Sequence, residues 1–168
     1  MQLRDLDPFN ADEIALVAQR MRDTLVEVEG AERGAAMYTM AWLENRVRWH
    51  LDPANTRARV VLALADGDTV AGHTIFRIEH DASGMFGLIS TTYVLPAFRR
   101  HGVAQALLEC AEAWFRAQGV PQCCTWTSST NRPLIGLYAR NGYSEAERGP
   151  NDLTGTMMVR LAKGLTTS

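Results

Sequence analysis

Tyr93-Val-Leu-Pro-Ala-Phe-Arg-Arg-His-Gly-Val-Ala104 is the stretch on which the reading of this chain turns. Apolar and β-branched residues run into it from Met85 and stop at Pro96. Beyond Gly102, Val103, Leu107, Leu108, Ala111, Trp114 and Phe115 recur at helical spacing. A strand therefore enters a short basic loop, Arg99-Arg-His-Gly102, and the loop opens directly onto a helix N-terminus. The first N–H groups of a helix have no internal acceptor, and its dipole favours an anion there. Gly102 withholds a side chain where backbone must meet a ligand, and Arg99 and Arg100 add positive charge. Such a turn can cradle a pyrophosphate. From the physics alone, an ordinary turn with solvated arginines remains the alternative.

Downstream, Gly119 ends the helix and Cys123 to Thr127 reads as a short buried strand. Asn131 then caps a helix through Arg140, with Pro133 tolerated in its first turn and Asn141-Gly142 as its stop. Gly155 to Leu161 is a final strand. Upstream, Arg59 to Ala65, Thr69 to His80 and Met85 to Leu95 are separated by the turn signals Asp66-Gly67 and Asp81-Ala-Ser-Gly84 and read as an antiparallel meander. Leu3 to Leu6 is a short first strand. Asn10, with Glu13 three residues on, starts a helix carrying Ile14, Val17, Met21 and Leu25, which Gly30 to Gly34 breaks. A second helix is expected from about Ala35 to Leu51. Met40, Leu43, Val47 and Leu51 form one stripe, with Tyr38, Trp42 and Trp49 roughly opposite. The order βααβββαβαβ, with room for one more strand, predicts an α/β (α+β) fold. Its central sheet is mixed and mostly antiparallel, with helices on both faces.

Composition narrows the function classes. The chain has 168 residues, 17 Lys+Arg, 19 Asp+Glu, 46% hydrophobic and 21% charged residues, which suits one globular domain spanning 1–168. A net charge of −2 and the lack of a Lys/Arg block argue against nucleic acid as a partner. The longest clean apolar run, Val60 to Ala65, is far below the ~20 residues that span a bilayer, and charged residues occupy the N-terminus where a signal peptide needs an apolar segment. A cytoplasmic protein with no membrane partner is expected. Cys110, Cys123 and Cys124 read as small buried hydrophobes, since neighbours on a strand point to opposite faces. No metal-ligand spacing appears, and neither do the usual nucleotide-triphosphate, dinucleotide or serine-hydrolase signatures.

Two blocks together carry a family resemblance. Arg99-Arg-His-Gly102-Val-Ala104 resembles the R/Q-x-x-G-x-G/A signature of GNAT-type (GCN-related) N-acetyltransferases, with Val94-Leu-Pro96 before it and Leu107-Leu108 after it. Asn131-Arg-Pro-Leu-Ile-Gly-Leu-Tyr138-Ala-Arg-Asn-Gly142-Tyr143 resembles the family's second block, at a spacing that leaves room for the intervening strand. The likeness covers about Arg59 to Leu161 well, and the first fifty residues only in outline.

The resemblance implies transfer of an acetyl group from acetyl-CoA, as cosubstrate and without a metal, to a primary amine of a small molecule or peptide. Attack is direct, within a ternary complex. It further implies that Arg99, Arg100, His101, Gly102, Val103 and Ala104 hold the pyrophosphate, and that backbone N–H groups near Thr92, Tyr93 and Val94 polarise the thioester carbonyl. The strand there would splay from Cys123–Thr127 to admit the pantetheine arm, which Asn131 would hydrogen-bond. Tyr138 would stand beside the leaving thiolate.

The sequence departs from the family pattern at the general base. Leu88-Ile-Ser-Thr-Thr-Tyr-Val94 contains no acid, so Glu79 is the nearest acidic candidate. A water held by Ser90 or Thr91, or an amine that arrives neutral, would serve instead. Tyr38, Trp42 and Trp49 are expected either to line the acceptor pocket or to join two copies of the chain as a homodimer. Glu27, Glu29 and Glu32 are an acidic cluster able to attract a cationic amine. Two alternatives to this reading stay open: a non-catalytic acyl-CoA-binding sensor module, and a transferase of another acyl group.

Overall fold

Both faces of the sheet are apolar because its central strands alternate within an unbroken hydrophobic run. In β2 (Ala58–Leu64), Val60 and Leu62 join one buried cluster while Val61 and Ala63 join the other. This is the pattern of a strand covered on both sides. The computed structural model, which describes residues 1–165, gives one seven-stranded sheet in the order β1-β2-β3-β4-β5-β7-β6. Its strands are β1 (Gln2–Asp5), β2, β3 (Val70–Asp81), β4 (Gly84–Val94), β5 (Gln122–Ser128), β6 (Ser144–Pro150) and β7 (Met157–Gly164). Every neighbouring pair is antiparallel except β4 and β5.

Helices α1 (Ala11–Glu29), α2 (Ala31–Ala36) and α3 (Met40–Leu51) belong to one side. Their Ile14, Val17, Leu43 and Val47 pack with Val60, Leu62 and Ile75. Helices α4 (Val103–Ala117) and α5 (Arg132–Arg140) supply Leu107, Ala111, Phe115, Leu137 and Tyr138 to the cluster on the other face. Gly87 shows how closely α4 sits, since a Cβ there would lie 2.6 Å from the Phe115 ring. The α1 cap forms as the sequence indicates. Asn10 Oδ1 accepts from the N–H groups of Asp12 and Glu13 at 3.1 Å, and the Glu13 carboxylate accepts from Asn10 Nδ2 and is paired with Arg4 at 2.7 Å.

Two elements differ from the sequence reading. The expected Ala35–Leu51 helix begins only at Met40, and the Gly30–Gly34 stretch read as a break carries most of the short helix α2. The chain breaks at Met37–Thr39, and Thr39 Oγ1 accepts from Trp42 N–H at 3.0 Å to begin α3 afresh. Tyr38 therefore precedes the helix instead of lying on it. The other difference is β6, Ser-Glu-Ala-Glu-Arg-Gly-Pro, a mostly exposed edge strand with no apolar alternation. It is held by pairing with β7, a contact that periodicity in β6 itself cannot report. Among the described residues, no helix is long and apolar enough to cross a membrane.

Candidate active site

The site originates where the one parallel pairing stops. β4 and β5 are in register at Gly87 with Cys123, Leu88 with Cys124 and Ile89 with Thr125, and the ladder ends there. Beyond that point Ser90–Val94 and Trp126–Ser128 diverge, so the β4 backbone groups that face β5 lose their strand partner. A bulge falls at the same place: Ile75 opposes Thr91 and Phe76 opposes Ile89, which leaves Ser90 as the extra residue. The bulge and the lost ladder together open a slot through the sheet.

On one side of the slot lies a cavity of about 660 Å³. Thr92, Tyr93 and Val94 of β4 line one wall, Arg99, Arg100, Gly102, Val103, Ala104 and Gln105 the loop end, and Asn131, Leu134, Leu137 and Arg140 the opposite wall. Gly102 is left-handed (φ 81°) and its N–H-rich neighbour helix begins immediately after it, with no side chain capping the turn. A Cβ at Gly102 would meet open space, so the backbone angle, not crowding within the protein, calls for glycine. Arg100 shares the positive φ at 66°. Arg99 is tied back, with Nε donating to the Val94 carbonyl at 2.8 Å and Nη2 to Glu27 at 2.7 Å. His101 is exposed and is not among the residues that line this cavity.

On the other side lies a second cavity of about 390 Å³. It is walled by residues from eight segments, among them Thr24 and Val28 of α1, Tyr38, Trp42 and Arg46 of α3 and its lead-in, Arg77 of β3, Ser90 and Thr91 of β4, Trp126 of β5 and Tyr138 of α5. Thr24, Val28, Thr92, Asn131 and Leu134 line both cavities, so the two meet at the slot.

Tyr138 sits at this seam. It is 2% exposed, stacks edge-on against Tyr143 at 4.7 Å and lines the second cavity. Burial pushes its phenol well above the usual tyrosine range, and the hydroxyls of Thr125 and Thr92 beside it pull the other way. The group is a proton donor throughout the neutral range. Asn131 caps α5, its Oδ1 accepting from Leu134 N–H at 3.4 Å, and also faces both cavities.

Glu79 is not brought into either cavity. Two residues further along β3 than Arg77, it pairs with the Arg77 guanidinium, which does line the second cavity. The acidic cluster is also largely consumed. Glu27 holds Arg99, Glu29 accepts from Thr156 Oγ1 at 2.9 Å with Arg33 nearby, and Glu32 is exposed. Tyr38 and Trp42 do line the second cavity, stacked at 4.1 Å, whereas Trp49 lies behind it under Arg46. Cys123 and Cys124 line neither cavity. Burial raises both thiols, Cys123 to about 12.

Sequence reasoning missed Arg46, His50 and Arg77. His50 is 4% exposed; its Nδ1 contacts the Arg46 carbonyl at 2.9 Å and its Nε2 accepts from Arg77 Nη1 at 2.9 Å. Burial lowers its pKa to about 4, so the ring is neutral. Trp42, Arg46 and His50 share one helical stripe, which was the available signal.

The fold has known relatives. The acetyltransferase (GNAT) family profile matches residues 19–143. An aminoglycoside N(6')-acetyltransferase type 1 from Klebsiella aerogenes is 30% identical over 92 residues, which is 52% of this chain and 60% of that relative. Among solved structures, one in the NatC complex bound to Gag peptide and CoA superposes with a TM-score of 0.78 at 17% identity, covering 98% of both chains. An acetyltransferase of the GNAT family from Streptococcus pneumoniae gives 0.72 at 19% identity, covering 98% of this chain and 99% of that one.

Proposed function

This chain belongs to the acetyltransferase (GNAT) family, and we propose that it transfers the acetyl group of acetyl-CoA to a primary amine by direct attack in a ternary complex. The observation that carries the reading is the single slot joining two cavities, one faced by a helix N-terminus and a basic loop, the other by side chains. The free amides at the start of α4 suit the pyrophosphate. Arg100 lies beside them, while Arg99 is engaged with Glu27 and fixes the loop through its bond to Val94. The unpaired edge of β4 at Thr92–Val94 suits the pantetheine amides and the thioester carbonyl, whose oxygen gains negative charge during attack.

The amine enters from the second cavity and meets the thioester at Thr92. Tyr138 donates to the departing sulfur, which a neutral phenol can do without changing its own charge. Glu79 has no path to the amine. A water on Ser90 or Thr91, both of which line the acceptor cavity, takes the proton, or the amine arrives neutral. The raised pKa values of Cys123 and Cys124 and their absence from the lining of either cavity favour direct attack over an acyl-enzyme. The aminoglycoside relatives support transfer to an amine.

An amine panel incubated with acetyl-CoA and read by free-thiol release tests the reading. Amine-dependent release is expected, together with a rise in Tm on adding acetyl-CoA. A Tm shift with no release for any amine class would instead favour the binding-module alternative.

A further inference from the structure

Resting on the acetyl-transfer reading, we propose that the acceptor is a small amphoteric amine: an apolar or aromatic body with the amine at one end and a carboxylate or similar anion at the other. The anion binds between Arg46 and Arg77, and the ring lies against Tyr38 and Trp42.

The charge of the acceptor cavity carries this. Besides the phenols of Tyr38 and Tyr138 and the neutral His50, its ionisable lining is Arg46, Arg77 and Glu29. Glu29 is 7% exposed and spent on Thr156 and Arg33, so it offers little to a cationic ligand. Arg77 is held from behind by His50 Nε2 and Glu79. Arg46 is half-buried and stacks on Trp49 with its guanidinium carbon 4.2 Å from the ring centre. Among the described residues it has no carboxylate in ion-pair contact. Its proton affinity is lowered by burial and by the neighbouring Arg77 cation, which the Glu79 carboxylate offsets only in part. Two adjacent guanidiniums, one without a partner, on the wall of a cavity form a receptor for a carboxylate. A polycationic acceptor of the kind the aminoglycoside relatives are named for meets charge of its own sign there.

The strand register gives the backbone separation that the ligand and the arginine side chain together bridge. Arg77 pairs with Leu88, and Thr74 pairs with Thr92. Three residues of β3 separate the arginine from the level of the thioester, roughly 10 Å at the usual rise per strand residue. One ring with a short arm at each end spans that gap. The stacked Tyr38–Trp42 pair, with Trp42 45% exposed, supplies a flat apolar wall for it.

The test compares para-(aminomethyl)phenylacetate, its methyl ester, para-xylylenediamine and kanamycin as acceptors. The carboxylate is expected to exceed its ester in kcat/KM by about 10- to 100-fold, as loss of a charged hydrogen bond predicts, and to exceed both polyamines. In Arg46→Gln the carboxylate-to-ester ratio should fall towards one, and Arg46→Lys should recover part of it. The ratio is read within each folded variant, so a stability loss does not imitate the effect. Quenching of tryptophan fluorescence by the carboxylate, without acetyl-CoA, should weaken in Arg46→Gln in parallel. Equal or better turnover of ester, diamine or kanamycin, or a ratio unmoved by Arg46→Gln, overturns the proposal and leaves acetyl transfer standing. Arginine-dependent quenching with no turnover of any amine supports the anion subsite and overturns the transferase reading instead.

Discussion

The two cavities that meet at Thr92 are built from different material. The larger takes in main chain left without partners, at the unladdered edge of β4, the left-handed turn at Arg100–Gly102 and the start of α4, with Asn131, Leu134, Leu137 and Arg140 opposite. The smaller is faced by side chains from α1, α3 and its lead-in, β3, β4, β5 and α5, and its polarity is set by which side chains those happen to be. A backbone site can keep its ligand while the surrounding sequence changes, because the amides are present whatever the residue. A side-chain site changes ligand with each substitution. The first half therefore speaks to the shared cosubstrate, and the second to this chain's own acceptor.

Gly102→Glu strikes the backbone half hardest. The residue sits at φ 81°, where a Cβ strains the turn, and a carboxylate there opposes the pyrophosphate. Affinity for acetyl-CoA should fall by about 1,000-fold or more, the combined cost of a strained turn and a misplaced charge. The acceptor cavity should keep its tryptophan quenching response. Calorimetric titration with CoA checks this, and unchanged affinity would show that the loop does not hold the cosubstrate.

The same contrast explains what was legible in the sequence. Arg99–Ala104 and Asn131–Tyr143 are contiguous, and a loop between strand and helix places its own amides, so the cofactor half could be read before any tertiary contact was known. The acceptor half assembles residues such as Thr24, Arg46, Arg77 and Trp126, which come together only when the sheet forms. Sequence spacing found the aromatic pair Tyr38 and Trp42 but set Tyr38 on the wrong element, since a Thr39 cap cannot be told from an ordinary threonine within one continuous stripe. It chose Glu79 because acids are the usual bases, whereas the fold gives that carboxylate to Arg77. β6 was hidden because an exposed edge strand has no buried face to pattern.

Each half also has a buried histidine, and acid separates the two. His73 lies behind the cofactor strand, its ring 6.3 Å from that of Tyr93, with a buried Nε2 that has no partner among the described residues. Burial lowers its pKa to about 3. His50 lies in the acceptor wall, at about 4, and its Nε2 is bonded to Arg77. Both are neutral in the fold, while an unfolded chain protonates histidine near 6.5. Between those values the unfolded state binds more protons. Stability is therefore highest above about pH 6.5 and falls as pH drops, levelling off near the folded pKa values. At pH 5 each ring should cost on the order of 2 kcal/mol. The lowered carboxyl of Glu13 acts in the same direction but only below about pH 4.5, so the window from pH 7 to 5 isolates the histidines. Urea unfolding across that window should show His73→Phe removing about half the loss without changing acceptor kinetics. His50→Phe should remove a similar share and also raise the acceptor KM, because Arg77 loses its support.

Tyr138 lines the acceptor cavity at the seam between the halves, and its replacement has the smallest expected effect while being the most informative about that seam. The ring packs on Tyr143 and the hydroxyl neighbours Thr125, the last residue of β5 in the parallel ladder, and Thr92, which lines both cavities. Tyr138→Phe keeps the ring and the packing, and the lost hydroxyl should cost stability only about 1 kcal/mol. The thiolate of CoA leaves without obligatory help, so an acid lowers the barrier without being essential to the path. Loss of one donor at the leaving group should lower kcat about 10- to 100-fold, within the usual range for such groups. The KM for acetyl-CoA and the carboxylate-to-ester ratio should both stay where they were, since the interaction grows only as the sulfur becomes charged. A Phe variant that instead raised the KM for acetyl-CoA at constant kcat would assign Tyr138 to the cofactor half as a wall. One that turned over at the full rate, with chemistry limiting, would leave it as a core aromatic and the sulfur without a protein donor.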